Sequence, residues 1–185
     1  MKYVFLVALS LSVLSCATDI AEVNAITQSN DVNTEYGSGI SILYSDSAVI
    51  KVRITADSIV RHVDRSNPHD VFPSGIFVEF LSERGRATSW LEADYAIRNE
   101  KDGKFVVSRN VKFYNRKRET LLSTELTWEE DKSTLYTDKF VTIIQPAKGD
   151  TTYGFGFESN EDFNIFEIKK RTSAIFRSAG DKFKD

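Results

Sequence analysis

The chain has 185 residues, of which 41% are hydrophobic and 28% are charged, and its formal net charge is −3. This composition predicts one ordinary globular domain with tails and excludes collagen-like and low-complexity chains. A charge so close to neutral gives no reason to expect nucleic acid as a partner.

The first segment is typical of an export signal rather than of a folded domain. Met1-Lys2 precedes an almost unbroken apolar run from Tyr3 to Leu14, which is too short to span a bilayer comfortably. The run ends at Val13-Leu14-Ser15-Cys16, which resembles the lipobox of bacterial lipoproteins. The resemblance implies a signal peptide over residues 1–15, cleavage before Cys16, and lipidation of that residue. An ordinary secretory signal or an uncleaved anchor is the alternative.

The next segment is short, polar and without clear periodicity. We therefore predict that residues 16–38 are a lipidated N-terminus and tether, that residues 39–172 form the folded domain, and that residues 173–185 are a C-terminal tail. Cys16 is the only cysteine in the chain, so an internal disulfide is excluded.

After the tether, apolar and polar residues alternate in segments that end at polar turns, as in strands of a half-buried sheet. The first pair of segments turns at Ser45-Asp46-Ser47 and the second at residues 82–86. The third turns at residues 115–118 and leads to a further hairpin that turns at Glu129-Glu130-Asp131-Lys132. The polar stretch from His62 to Val71 is predicted to be a loop.

This unit recurs about every 35 residues, a period typical of structures that stack one supersecondary unit on the next. In each copy an aromatic residue stands just before a polar turn, namely Tyr44, Phe80 or Tyr114. Since no segment beyond the signal has a convincing helical period, we predict an all-β fold. Successive antiparallel hairpins would form a rolled or folded sheet.

Five stretches in this order resemble the LptC family, which comprises periplasmic components of the lipopolysaccharide export machine. They are FPSGIFVEF (72–80), LEADYAI (91–97), TELTW (124–128), LYTDKFVTI (135–143) and GFGFESNEDF (154–163). The resemblance implies an OstA-like β-jellyroll that is open along one seam and carries lipopolysaccharide acyl chains inside. It also implies two protein partners, an inner-membrane ABC transporter and a periplasmic bridge protein of the same fold.

The family commonly uses a transmembrane helix as its anchor, whereas this sequence suggests a lipid on Cys16. We therefore expect a periplasmic domain that is held at the inner membrane by its lipidated N-terminus. Any role of a membrane helix in the transporter is in doubt for this chain.

A carrier of acyl chains needs a continuous apolar surface, which alternation with a period of two can supply on one face of a sheet. The pattern alone favours a closed core, since most inward-facing residues of β proteins pack on one another, whereas the resemblance favours a groove. A slip of one residue in any strand would exchange its inward residues for outward ones. The predicted inward set is Ile42, Tyr44, Val52, Ile54, Val78, Phe80, Leu91, Val111, Phe113, Leu122, Leu126 and Phe140.

A rolled sheet leaves edge strands whose backbone groups can pair with a partner strand. The resemblance implies that the N-terminal edge, with Ile40 and Ile42, meets the transporter. It implies that the C-terminal edge, within residues 153–168, meets the bridge protein. The second set of partner residues is Gly154, Phe155, Gly156 and Phe157.

The sequence contains no strong pattern of metal-binding or catalytic residues. His62 and His69 lie near Asp64 and Asp70, but no further histidine or cysteine supports a metal site. We find no catalytic motif and no pattern that calls for a cofactor, so we expect a protein that is not an enzyme. One alternative is an envelope lipoprotein that docks proteins through its edges without binding lipid. Another is a glycan-cleaving β-domain, which would need two carboxylates facing each other across a cleft.

Overall fold

The chain forms one antiparallel sheet whose strands run back and forth in sequence order. The structure is a computed structural model that describes residues 33–176. Within this range eleven strands and two short 3-10 helices, Glu130–Lys132 and Pro146–Lys148, are formed. The all-β prediction is confirmed. The strands are β1 (Thr34–Asp46), β2 (Val49–His62), β3 (His69–Phe72), β4 (Ile76–Leu81), β5 (Ala87–Ala93), β6 (Tyr95–Asn99), β7 (Lys104–Asn115), β8 (Thr120–Glu129), β9 (Thr134–Gln145), β10 (Asp150–Asn160) and β11 (Phe166–Phe176).

Two pairs of short strands, β3 with β4 and β5 with β6, each act as one broken strand. One end of β2 pairs with β3 and the other with β4, while β7 pairs with both β6 and β5. When each broken pair is counted once, the described strands form a nine-stranded meander in which every strand pairs with its predecessor. The recurring unit in the sequence is therefore a pair of successive strands, and the predicted hairpins form one continuous sheet.

The sheet folds on itself along a line of backbone breaks. Gly39, Gly75 and Gly156 have positive φ angles on this line, and so do the adjacent residues Arg109 and Asn110. The breaks lie opposite one another in neighbouring strands, as where the Asp94 amide between β5 and β6 donates to the Arg109 carbonyl at 3.0 Å. Because left-handed or kinked residues bend a strand, their alignment across the sheet produces one fold line.

The fold line divides the sheet into two halves. We call the half that contains β4 and β5 half A, and the half that contains β3 and β6 half B. Their apolar inner faces form a single core, in which Phe80 of half A lies 5.3 Å from Trp128 of half B between ring centroids. Each side chain of this size contributes roughly 1.5–3 kcal/mol when it is buried. The core therefore holds the two halves together.

Several predicted boundaries are corrected by the strands. The sheet begins at Thr34 rather than at residue 39, and β11 continues to Phe176, beyond the predicted end at residue 172. The predicted loop from His62 to Val71 is shorter, because His62 ends β2 and β3 begins at His69. Cys16 and the predicted signal peptide lie outside the described residues.

The predicted inward orientation is wrong at two positions. Leu122 is 40% exposed and Phe140 is 44% exposed, and both lie on the outer face. The β7–β8 and β8–β9 ladders each shift register near the fold line, so alternation is interrupted there. Leu121 and Leu126 consequently both face the core although five positions separate them. On β9, Val141 faces the core in place of Phe140.

Close packing at the fold line leads us to predict different effects of alanine at Gly75 and at Gly85. A Cβ at Gly75 would lie 2.5 Å from the backbone oxygen of Ala93, and φ is +88°, so Gly75→Ala adds a clash to backbone strain. Gly85 has φ of +69° in the turn between β4 and β5, where a Cβ would have no atom within 4 Å. We expect Gly85→Ala to lower the free energy of unfolding by about 1–2 kcal/mol and Gly75→Ala by clearly more.

Urea unfolding of both variants measures this difference. Equal losses in the two variants would contradict the view that close packing at the fold line, rather than backbone conformation alone, requires glycine at residue 75.

Candidate functional site

Ten of the twelve predicted groove residues face the space between the halves. Eight are buried, while Ile42 and Tyr44 on β1 are partly buried against the core. In this structure these side chains pack on one another, so the interior is filled by the protein itself. Their contact with lipid stays a prediction. The buried residues are Val52, Ile54, Val78, Phe80, Leu91, Val111, Phe113 and Leu126.

Opposite the fold line, the free ends of the two halves meet at a cleft of about 800 Å³, which we call the mouth. Half A contributes Tyr44, Val52 and Leu81, and half B contributes Trp128, so apolar side chains of both halves line it. Tyr44 and Trp128 make an edge-to-face contact with ring centroids 6.0 Å apart. Among the described strands, no backbone ladder joins the halves here, and side chains therefore close the interior on this side.

The rim of the mouth is acidic because six of its residues carry carboxylates. Lys51 is the one basic residue among the described residues that line the cleft. It reaches the mouth where the β1–β2 register shifts between Tyr44 and Ser45. Such a rim repels anions and attracts cations. The rim carboxylates are those of Asp46, Glu83, Glu130, Asp131, Glu161 and Asp162.

Glu161 is the rim residue most involved in the interior. Its carboxylate accepts a hydrogen bond of 2.8 Å from the indole nitrogen of Trp128. Trp128 in turn stacks on Phe105, with ring centroids 5.1 Å apart. Burial raises the pKa of Glu161 above the usual value, and the nearby Asp162 carboxylate acts in the same direction. The charge of Glu161 at the rim therefore acts directly on Trp128, which packs in the core.

A charged row lies just behind Tyr44 on the inner face of half B. Arg61, Asp70 and Arg98 are cross-strand neighbours on β2, β3 and β6. Asp70 is fully buried and accepts a hydrogen bond of 2.8 Å from Arg61, while Arg98 bonds Glu130 at 3.0 Å. The Arg98 guanidinium also lies 5.2 Å from the centroid of the Tyr44 ring. A buried carboxylate requires such partners, and these ion pairs link β2, β3 and β6 at this end of the core.

The loop between β10 and β11 bridges the mouth. It leaves half B at Asn160, and its Phe163 is fully buried. The Ser89 hydroxyl donates to the Glu161 carbonyl, and the Asn115 amide donates to the Phe163 carbonyl at 2.8 Å. Because Ser89 and Asn115 belong to half A, this loop ties the two halves together at their free ends.

Of the two segments predicted to lie at sheet edges, one belongs to an edge strand and the other does not, and their contact with partners stays a prediction. Within the described residues, β1 pairs only with β2, so Ile40 and Ile42 do lie on an edge strand. Gly154 to Phe157 do not lie on an edge strand, because β10 pairs with β9 along one side and with β11 along the other. Phe157 is a core residue and Phe155 is 45% exposed on the outer face. The C-terminal edge of the described sheet is β11, one strand further along the chain.

The two histidines form a stacked pair. The rings of His62 and His69 lie 4.3 Å apart as cross-strand neighbours. Within residues 33–176 no group of three or more histidine, cysteine, aspartate or glutamate side chains is arranged to hold a metal ion. Over the same range, no helix has the length and apolar character needed to cross a membrane.

No protein-family model matches the chain, and no curated protein matches it significantly.

Sequence analysis named Tyr44 and Val52 but missed the other residues of the mouth. It finds no converging carboxylates, whereas the structure brings six to one rim from separate turns. Trp128 could have been found, since its alternation with Leu126 already places it on the inner face. Lys51 and Glu161 give no such signal, because a register shift and a loop bring them to the mouth.

The raised pKa of Glu161 makes a prediction about pH. Its folded state favours the neutral acid, so ionisation at neutral pH opposes folding, and that penalty disappears as the pH falls below the ordinary glutamate pKa. Glu161→Gln stays neutral and can still accept from Trp128. We expect it to melt a few degrees above the unmodified protein at about pH 8 and to lose this advantage at about pH 4.

Thermal unfolding at both pH values measures the effect. Glu83→Gln, an exposed residue of the same rim, is the matched control and should change little at either pH. An advantage of Glu161→Gln that is the same at both pH values would contradict the prediction.

Proposed function

We propose that this domain shields and relays the acyl chains of lipopolysaccharide in the periplasm, as its resemblance to the LptC family implies. The observation that carries the proposal is the construction of the interior. One sheet is folded once, so a continuous apolar layer is closed by backbone at the fold line and by side chains at the mouth. Such an interior can open at the mouth without breaking a strand ladder.

The energetics suit transient carriage rather than tight storage. A buried methylene contributes about 0.8 kcal/mol, so an acyl chain gains substantially from leaving water. In this fold, however, it must separate core side chains that already contact one another, such as Phe80 and Trp128. These two terms oppose each other, and the net affinity is moderate. Net movement then depends on an energised partner, the ABC transporter.

The acidic rim separates the two parts of the lipid. A phosphorylated head group is repelled by the carboxylates of Glu83, Glu130 and Asp162, whereas an uncharged acyl chain can contact Tyr44, Leu81 and Trp128 below them. The head group therefore stays in solvent while the chains enter the interior.

Partners are expected at the two ends of the meander. The free side of β1 offers backbone groups to the transporter, and the free side of β11 offers them to the bridge protein. A lipid on Cys16 would hold the N-terminal end at the inner membrane. The relay would then run across the sheet from β1 towards β11.

Photocrosslinking from two phenylalanines of β4 tests the relay. Phe80 is 1% exposed in the core, and Phe77 is 37% exposed on the outer face of the same strand. We expect a photoreactive phenylalanine analogue at residue 80 to give a lipopolysaccharide adduct in cells, and the analogue at residue 77 to give none or far less. The matched strand and residue type make orientation the only intended difference.

Docking without lipid is the second candidate, and the packed interior together with the exposed β1 edge favours it. Tyr36 on β1 is 75% exposed and can carry the same analogue. Protein adducts at residue 36 without a lipid adduct at residue 80, in a folded protein, would replace the relay with a docking module. Equal lipid adducts at residues 77 and 80 would also contradict an internal path.

A further inference from the structure

Phe163 is a core residue that is supplied by a loop. Its ring stacks on Phe113 with centroids 4.7 Å apart and meets Phe157 at 5.8 Å and Phe166 at 5.3 Å. Its neighbours in sequence, Asp162 and Asn164, are exposed. A single apolar ring therefore reaches from a polar turn into the space between the two halves.

The loop is positioned at the mouth. Asn160, Glu161 and Asp162 line the cleft, and Phe163 follows them directly. The aromatic pocket that holds Phe163 is thus next to the mouth in sequence and in space. Phe80 links the two places, since its ring centroid is 5.3 Å from that of Trp128 and 6.0 Å from that of Phe113. We expect an acyl chain that enters at the mouth to reach the pocket past Phe80.

The loop is held to half A by few polar contacts. These are the hydrogen bonds from Ser89 to the Glu161 carbonyl and from Asn115 to the Phe163 carbonyl. Within the loop, the Asn160 side chain accepts from the Asn164 and Ile165 amides at 3.2 Å. The loop is therefore supported internally, and it can leave half A without losing its own hydrogen bonds.

Phe163 is also held in a strained backbone conformation. Its φ angle is +50°, in the left-handed region that a residue with a Cβ seldom adopts. Strain of this kind persists only where surrounding contacts compensate for it. Here the compensation comes from the aromatic pocket and from the turn itself, in which the Phe163 amide donates to the Asn160 carbonyl at 3.1 Å.

We propose that the pocket filled by Phe163 is a subsite for the end of a linear acyl chain, and that the chain and the Phe163 ring compete for it. The ring occupies the subsite until lipid enters, so the apolar interior is not left exposed to water. This inference rests on the proposed lipid relay. It adds that Phe163, by competing for the subsite, sets the affinity of the domain for lipid.

Trp128 provides a direct readout. The chain contains two tryptophans, and Trp90→Phe leaves Trp128 as the only one. The probe is stearate carrying a nitroxide near its methyl end, which quenches indole fluorescence at short range, with unlabelled stearate as the baseline. If the loop is withdrawn in about a tenth of unliganded molecules, Phe163→Ala should lower the half-quenching concentration about tenfold.

Two further variants keep the test decisive. Phe155→Ala removes an exposed ring of the outer face and should leave the half-quenching concentration unchanged. Ser89→Ala removes the hydrogen bond to the loop and keeps the aromatic neighbours of Phe163, and it should shift quenching in the same direction by a smaller factor. Circular dichroism establishes that each variant is folded, and Ser89→Ala carries the test if Phe163→Ala is not.

The outcomes separate this inference from the proposed function. Quenching that occurs at the same probe concentration in the unmodified background and in every folded loop variant would overturn the competition while leaving the relay intact. An absence of Trp128 quenching in the unmodified background and in each folded variant would overturn the lipid relay and the subsite with it.

Discussion

The structure depends on one constraint, which is that a wide meandering sheet must hide its apolar face. With no helix layer in the described part of the chain to cover it, the sheet covers itself. The long strands must therefore bend at the same level. Breaks at Gly39, Gly75, Arg109-Asn110 and Gly156 and register shifts in the β7–β8 and β8–β9 ladders lie along this line. The close approach of Gly75 to the Ala93 carbonyl shows how tightly the backbones pack on this line.

Folding along one line makes the two sides of the interior different. The fold line is continuous backbone, whereas the mouth is closed by the contacts of Tyr44 and Trp128 and by the β10–β11 loop. Carboxylates from the turns line the mouth, and the buried Asp70 behind Tyr44 is paired with Arg61 and Arg98. Opening of the interior therefore requires the least free energy at the mouth, where side chains can rearrange while the strand ladders remain paired.

Alternation predicted the fold well and the faces of several strands correctly, because Ile76, Val78 and Phe80 on β4 follow a regular ladder. It failed for Leu122 and Phe140, which lie beside register shifts. Arg109 and Asn110 adopt positive φ angles without the glycine that usually signals them, so the bulge has no clear mark in the sequence. The rim was not predictable either, since Lys51, Glu130 and Glu161 converge from three separate hairpins and share no local pattern.

The edge and the interior are physically connected at the C-terminal end of the sheet. The loop that inserts Phe163 leads directly into β11, and β11 is the strand whose outer side has no neighbour among the described residues. Phe166, the first residue of β11, packs against Phe163 with ring centroids 5.3 Å apart. The proposed docking edge and the proposed acyl-chain subsite therefore adjoin one another at Phe166. If both proposals hold, we expect a partner strand on β11 and a lipid at the aromatic pocket to influence the same short segment.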